Sequence, residues 1–165
     1  MIFVTVGTQL PFDRLIRTVD EIAPSFPGVS FIAQTYQSRY EAKHIETLPF
    51  VSPLQFSEYI KTAELVISHA GIGTITKVAE KGKPLILFPR MGKLKEHRND
   101  HQLDTCRMMQ SAYGLNVAHD KEELEGFLQA YFQNRLQPTA KIEPRASGTL
   151  IRSLKDYIDA IPPAG

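Results

Sequence analysis

The chain has 165 residues, a net charge of +1 and 42% hydrophobic residues, the size and composition of one globular domain. Its single cysteine, Cys106, excludes an internal disulfide framework, and the longest stretch without Asp, Glu, Lys or Arg, residues 22–38, is too short and too polar to span a membrane. The near-neutral charge argues against a nucleic-acid-binding protein, and the first residues lack a basic signal-peptide segment, so we expect a cytoplasmic protein.

Short apolar runs alternate with helical patterns along the chain. The apolar runs predict strands at residues 2–6, 29–33, 65–68, 85–88 and 115–118, with one further short candidate at residues 50–51. Between them, recurring apolar residues predict helices at residues 11–23, 56–63, 74–81 and 99–109, one that starts at a capping box of Asp120 and Glu123, and a last one at residues 150–158. Residues 35–47 carry only a weak pattern, and residues 138–147 are typical of a loop.

This alternation predicts an α/β fold. Continuous apolar strands indicate a parallel sheet that is covered on both faces, so we expect one Rossmann-like, doubly wound domain over residues 1–165, with carboxyl-terminal helices at about 120–160. Ligands of such sheets bind at the carboxyl ends of the strands. The segments to consider for function are therefore residues 7–9, 68–74 and 89–102.

The segment HAGIGT follows the strand at 65–68 and opens a helix. Gly71 and Gly73 would let the backbone approach a ligand closely, and the free amides and partial positive charge of a helix start bind phosphate. The same residues suit a tight turn with no ligand, and the two interpretations are equally supported by the residues alone. Taken alone, a histidine at the position of His69 more often makes a structural hydrogen bond than takes part in catalysis.

The segment EHRNDHQ at residues 96–102 is rich in side chains that recognise hydroxyl groups. His97 and His101 have the spacing of a zinc pair on a helix, but no third ligand and no Asp-x-Asp pair is evident, so we expect no metal. Cys106 lies in a helical pattern and is expected to be a buried structural thiol.

Positive charge is concentrated before and within that segment. Between Lys77 and Arg107 there are eight basic and four acidic residues, and between Arg90 and Arg98 four basic residues accompany one acid. This distribution fits either a solvated loop or a contact with phosphate or an anionic surface.

Three segments in this order, MIFVTVGTQLPFDRLI, SHAGIGTITKVAEKGKPLILFPR and EHRNDHQ, resemble one family. It comprises small single-domain glycosyltransferase subunits similar to the carboxyl-terminal half of MurG, the glycosyltransferase family 28 C-terminal domain. Its members include exopolysaccharide proteins of the PssE type and the catalytic subunit of the eukaryotic dolichol-linked N-acetylglucosaminyltransferase. The likeness covers about residues 1–118.

The resemblance implies one half of a GT-B enzyme, a UDP-sugar-dependent hexosyltransferase that inverts the anomeric carbon without a metal or cofactor. The donor nucleotide-sugar would bind here, while a separate membrane-anchored subunit would bind a lipid-linked sugar acceptor. The chain would then act at the inner membrane face through that partner, in polysaccharide or glycolipid synthesis, and on its own it would be inactive. The general base would come from the partner.

The resemblance also implies roles for particular residues. Those expected at the diphosphate and the cleft are Gly7, Thr8, Gln9, His69, Gly71, Gly73 and Thr74. Those expected near the sugar are Glu96 and His97, followed by Asp100, His101 and Gln102, and Arg90 is counted with the donor-binding residues. Catalytic roles are expected for His69, Glu96 and His97.

One position departs from the family pattern. Six residues after Gly71 the family usually has an acid that binds both ribose hydroxyls, but this chain has Lys77, which cannot accept those bonds. Glu80 could substitute from the same helix face. Lys77 also favours a second hypothesis, a non-catalytic nucleotide-sugar-binding or regulatory module. A third is an unrelated doubly wound nucleotide-binding enzyme.

Overall fold

A computed structural model describes residues 1–136. Six strands lie within these residues: β1 (Ile2–Thr5), β2 (Phe31–Gln34), β3 (Glu46–Leu48), β4 (Leu65–Ser68), β5 (Leu85–Leu87) and β6 (Asn116–Val117). The same part of the chain has five α-helices, α1 (Asp13–Ile22), α2 (Pro53–Thr62), α3 (Ile72–Glu80), α4 (His101–Tyr113) and α5 (Lys121–Phe132). The loop predicted at 138–147 and the helix predicted at 150–158 lie outside the described residues. Over residues 1–136, no helix has the length and apolar character that crossing a bilayer requires.

All strands of the sheet are parallel, in the order β3-β2-β1-β4-β5-β6. The chain first adds strands on one side of β1 and then returns to add β4 on the other side, where Ile2 pairs with Leu65. The strand order therefore reverses between β1 and β4, and the crevice at their carboxyl ends is where such sheets bind ligands. The predicted doubly wound sheet is confirmed.

Helices cover both faces of the sheet, which explains why its central strands are mostly apolar. In β1, Ile2 and Val4 pack with α1 and α5, whereas Phe3 packs with α2, α3 and α4 on the opposite face. The periodicity of two in the strand thus divides the core into two clusters.

The starts of α2 and α5 are capped by side chains that accept backbone N–H groups. Ser52 accepts from the Gln55 amide and Gln55 accepts from the Ser52 amide, a complete capping box at α2. At α5 the Asp120 side chain accepts from the Glu123 amide, as predicted, but Glu123 accepts from the amide of His119 rather than from that of Asp120.

Residues 35–47, which carry only a weak pattern in the sequence, are held by two carboxylates of α1: Asp13 binds residues 38–39, and Asp20 binds residues 40–44. Asp20 on α1 is buried and accepts hydrogen bonds from the amides of Lys43 and His44 and from the Tyr40 hydroxyl. This long-range cap satisfies backbone donors that no strand pairs with.

Several element predictions need correction, among them the helix predicted at 56–63, which begins three residues earlier at Pro53. The strand predicted at residues 50–51 is absent, and the edge strand lies instead at Glu46–Leu48. The second strand is shifted from 29–33 to Phe31–Gln34, and the helix predicted at 99–109 runs from His101 to Tyr113, where Gly114 ends it with a φ of 64°.

Candidate functional site

A cavity of about 570 Å³ opens at the carboxyl ends of β1, β4 and β5. It is lined by all but three of the residues that the sequence predicted for the site, namely Gly7, Thr8, Gln9, His69, Gly71, Gly73, Thr74, Arg90, His97, His101 and Gln102. The three others are all acids: Glu80, Glu96 and Asp100. No carboxylate lines the cavity among the described residues.

The loop after β1 is held by a buried polar network. Gly7 has a φ of 77°, a conformation that favours glycine. Its amide donates to Thr5 Oγ1 (3.2 Å), Thr5 Oγ1 donates to Gln34 Oε1 (2.7 Å), and Gln34 Nε2 donates to the Gly7 carbonyl (2.9 Å). Gln34 also lines the cavity. The sequence prediction missed it by ending that strand at Ala33, one residue too early, although a polar residue at a strand's carboxyl end was the signal to follow.

The His69 ring packs between two glycines. A Cβ built on Gly7 would lie 2.7 Å from His69 Cε1, and a Cβ built on Gly71 would overlap His69 Nε2. Burial, and then the positive charge of Arg90, lower the pKa of His69 to about 4. At neutral pH the imidazole is therefore uncharged and can donate one hydrogen bond and accept another.

The start of α3 forms the adjacent wall of the cavity. Gly71 is the N-cap, no acid lies in the first turn, and Ile72, Gly73 and Thr74 all line the cavity. The amides of Ile72 and Gly73 have no acceptor within the helix, because the first turn of any helix lacks them. A Cβ on Gly73 would meet nothing within 4 Å. This wall is suited to binding an anion.

Arg90 and Gln102 connect the loops around the cavity. The buried Arg90 guanidinium donates to the carbonyls of Val6 (2.9 Å), Leu10 (2.6 Å) and Pro11 (2.6 Å). Burial lowers the pKa of Arg90 to about 10, which leaves it charged at pH 7. Gln102 Oε1 accepts from the amides of Ala70 (3.2 Å) and Arg90 (3.0 Å), joining the ends of β4 and β5. Arg90 is thus a buried residue that holds the loop after β1 in place, whereas Lys93, Lys95 and Arg98 are exposed.

The three predicted acids lie outside the lining, and Lys77 lies within it. Glu80 is exposed at the last turn of α3. Asp100 accepts from the Gly92 amide (2.8 Å), and Glu96 is paired with Arg14 (2.7 Å). The Lys77 ammonium lies 5.5 Å from the centroid of the Phe56 ring, which also lines the cavity.

His97 and His101 both line the cavity, but they do not share a helix face, because His97 precedes α4. His97 Nδ1 lies 3.0 Å from Asn99 Oδ1. Within residues 1–136 there is no group of three His, Cys, Asp or Glu side chains that could hold a metal ion. Cys106 is buried in α4, and burial raises its pKa to about 12, as expected of a structural thiol.

Comparisons with known proteins identify the family. The model of the glycosyltransferase family 28 C-terminal domain matches residues 1–159. The chain belongs to this family. It is 30% identical over 103 residues, or 62% of the chain, to the UDP-N-acetylglucosamine--N-acetylmuramyl-(pentapeptide) pyrophosphoryl-undecaprenol N-acetylglucosamine transferase of Caulobacter vibrioides. It is 31% identical over 118 residues, or 66% of the chain, to the human UDP-N-acetylglucosamine transferase subunit ALG13. The matches span only 27% of the bacterial relative and 10% of the human one.

Solved structures share the fold. The crystal structure of Acinetobacter baumannii MurG superposes with a TM-score of 0.69 at 18% identity, over 98% of this chain and 50% of that one. The NMR structure of ALG13 superposes with a TM-score of 0.60 at 20% identity, over 96% of both chains. The predicted fold, one Rossmann-like half of a GT-B architecture, is confirmed. The chain is a glycosyltransferase-family domain.

Proposed function

We propose that this chain is the donor-binding catalytic subunit of a two-component, metal-independent, inverting hexosyltransferase. It moves a sugar from a UDP-sugar to a lipid-linked acceptor in polysaccharide or glycolipid synthesis. The observation that carries the proposal is the cavity at the strand-order reversal, where a helix start and a glycine loop face each other and no carboxylate of the described residues lines the wall. Such a wall favours a diphosphate.

In this proposal the diphosphate lies against the start of α3. As the bond between sugar and diphosphate breaks, negative charge grows on the departing UDP. The amides of Ile72 and Gly73 and the partial charge of the helix are already oriented toward it, so they stabilise that charge without rearranging. The neutral His69 supplies a further hydrogen bond at the strand end.

The sugar lies toward the segment that precedes α4. His97 and His101 line this part of the cavity, with ring nitrogens suited to sugar hydroxyls. Replacing His97 with Ala should weaken binding of UDP-N-acetylglucosamine about tenfold and leave UDP within twofold, because a site that pairs hydroxyls rejects a ligand lacking them. Equal losses of affinity for both ligands would show that His97 does not bind the sugar.

The acceptor side of the cavity calls for a second unit. Leu10 (40% exposed), Phe50 (69%) and Ile72 (50%) line the cavity and still face solvent. We propose that a membrane-anchored partner subunit covers this rim, binds the acceptor and supplies the general base, placing the chain on the cytoplasmic, inner face of the membrane. The relative ALG13 is itself named as a transferase subunit.

Lys77 supports a second candidate, a nucleotide-sugar-binding or regulatory module without turnover. It lines the cavity with a positive charge and cannot accept hydrogen bonds from ribose hydroxyls. Calorimetric binding of a UDP-sugar with no transfer in the presence of the partner would select this candidate.

The experiment that tests the proposal is sugar transfer from a UDP-sugar to a lipid-linked acceptor, with the purified chain alone and with membranes that contain the partner. We expect transfer only in the mixture. Reversing the exposed charges of Lys93 and Lys95 should reduce it, since each basic residue near an anionic surface contributes about 1 kcal/mol. Robust transfer by the purified chain alone would contradict the two-component arrangement.

A further inference from the structure

Arg14 joins helix α1 to the loop that follows β5. Its Nε donates to Glu96 Oε1 (2.7 Å) and its Nη2 to Glu96 Oε2 (2.9 Å), a two-pronged ion pair between residues 82 positions apart. The same guanidinium donates to the carbonyls of Pro89 (2.7 Å) and His119 (2.9 Å), and its carbon lies 4.5 Å from the centroid of the Phe88 ring. The planar fork of arginine makes these bonds at once, which lysine cannot do.

Glu96 is held from its own loop as well. Its Oε2 accepts from the Met91 amide (2.9 Å), and its carbonyl accepts from Arg90 Nη1 (3.4 Å). The side chains of Arg14 and Glu96 are only 23% and 13% exposed. A pair that is mostly removed from water holds a defined geometry, and losing either partner leaves the other charge poorly compensated.

The residue after Glu96 is His97, which lines the cavity, whereas Glu96 does not. Between Met91 and Glu96 the backbone makes a short 3-10 turn, and Lys95 has a left-handed φ of 58°. The bond from the Met91 amide to Glu96 closes this turn, and the ion pair with Arg14 holds the closed turn against α1, next to the residue that lines the cavity.

We infer that Arg14 and Glu96 are positioning residues. Their ion pair, called the latch below, holds the loop so that His97 lies against the donor sugar. Glu96 acts on the sugar through this latch rather than by touching it. The inference rests on the proposed function. It assigns a role to Arg14, which no sequence motif singled out, and a different role to Glu96 from the one that the family resemblance implied.

A double-mutant cycle on ligand affinity tests the latch. Arg14→Gln and Glu96→Gln should each weaken UDP-N-acetylglucosamine binding about tenfold and leave UDP within twofold, and the double variant should cost no more than either single one, because the two residues act together. If Glu96 touched the sugar directly, the two losses would multiply, or Arg14→Gln would leave sugar binding unchanged. Either result overturns the latch, as would an equal loss of UDP and UDP-sugar binding, which general damage to the fold would produce.

Two comparisons keep the test interpretable. Arg17→Gln is the matched control, since Arg17 lies one turn along α1 and is exposed beside Tyr40 outside the cavity; it should change neither affinity. Hydrogen exchange at the Met91 amide reports on the latch without a ligand and should speed up about tenfold in Arg14→Gln, whereas unchanged exchange would overturn it. If the wild-type chain bound neither ligand, the proposed function would fail while the exchange result still decided the latch.

Discussion

At the scale of single residues, the two glycines that follow β4 are needed for different reasons, although both lie in the one segment HAGIGT. Gly71 has no room for a side chain because the His69 ring occupies that space, whereas Gly73 faces open space on the cavity wall. Packing therefore fixes Gly71, and the ligand is the reason to keep Gly73 small. The two positions can be separated by experiment.

We expect Gly71→Ala to lower the free energy of unfolding by about 1–3 kcal/mol, because the added methyl overlaps a ring that is packed on its other side by Gly7. Gly73→Ala is the matched control and should cause no loss, since its Cβ meets nothing within 4 Å. Urea unfolding of both variants measures the difference. Equal stability of the two would show that His69 moves aside freely.

The imidazole of His69 should make stability depend on pH. Its folded-state pKa of about 4 lies below the unfolded value of 6.5, so between these values the unfolded chain binds more protons and stability falls as the pH falls. From pH 7 to pH 5 the wild type should lose about 2 kcal/mol more than His69→Gln, which has nothing to titrate there. Parallel urea titrations at the two pH values measure this difference; identical losses would show that His69 is not kept neutral by the fold.

At the scale of elements, helix stability and phosphate binding favour opposite charges at the start of α3. An acid in the first turn of a helix stabilises the helix, yet the same charge repels a bound phosphate. Gly73→Asp should therefore leave stability unchanged or raise it slightly, while weakening UDP binding at least tenfold. A variant that bound UDP as tightly as wild type would show that the diphosphate lies elsewhere.

Some elements could be predicted from the sequence because their burial is uniform. The strand Leu65–Ser68 has the predicted bounds, since both faces of this central strand are covered and every residue is apolar or small. The edge strand Glu46–Leu48 could not be predicted, because Glu46 and Thr47 are exposed and, among the described residues, β3 pairs only with β2. A strand was predicted instead at Phe50 and Val51 because both are apolar, but these residues line the cavity.

The candidate site was also predictable only in part. The convergence of Gly7, Gly71 and His97 on one cavity followed from the rule that parallel strands end at one edge. The connection between Arg14 and Glu96 had no local signal, because nothing in the sequence indicates a pairing across 82 positions. Side-chain direction was the other missing information: the spacing within residues 96–102 could not show that Glu96 and Asp100 turn away from the cavity that His97 and His101 face.

At the scale of the whole molecule, the described residues form one Rossmann-like unit with a cavity of about 570 Å³ at the reversal of strand order. The family assignment covers residues 1–159, yet the chain spans only about a quarter of its bacterial relative and a tenth of its human one. The chain thus accounts for only part of each relative's length, and our proposal assigns the acceptor and the general base to a partner.

The central claim is that this cavity holds the diphosphate of a UDP-sugar through backbone amides and neutral side chains, without a metal. Calorimetric titration of the purified chain with UDP and with UDP-N-acetylglucosamine in EDTA tests it most directly, with Gly73→Asp as the site-specific control. We predict saturable binding in EDTA that added Mg²⁺ or Mn²⁺ does not strengthen and that Gly73→Asp weakens at least tenfold. Binding that appeared only after a divalent metal was added, or that Gly73→Asp left intact, would contradict it.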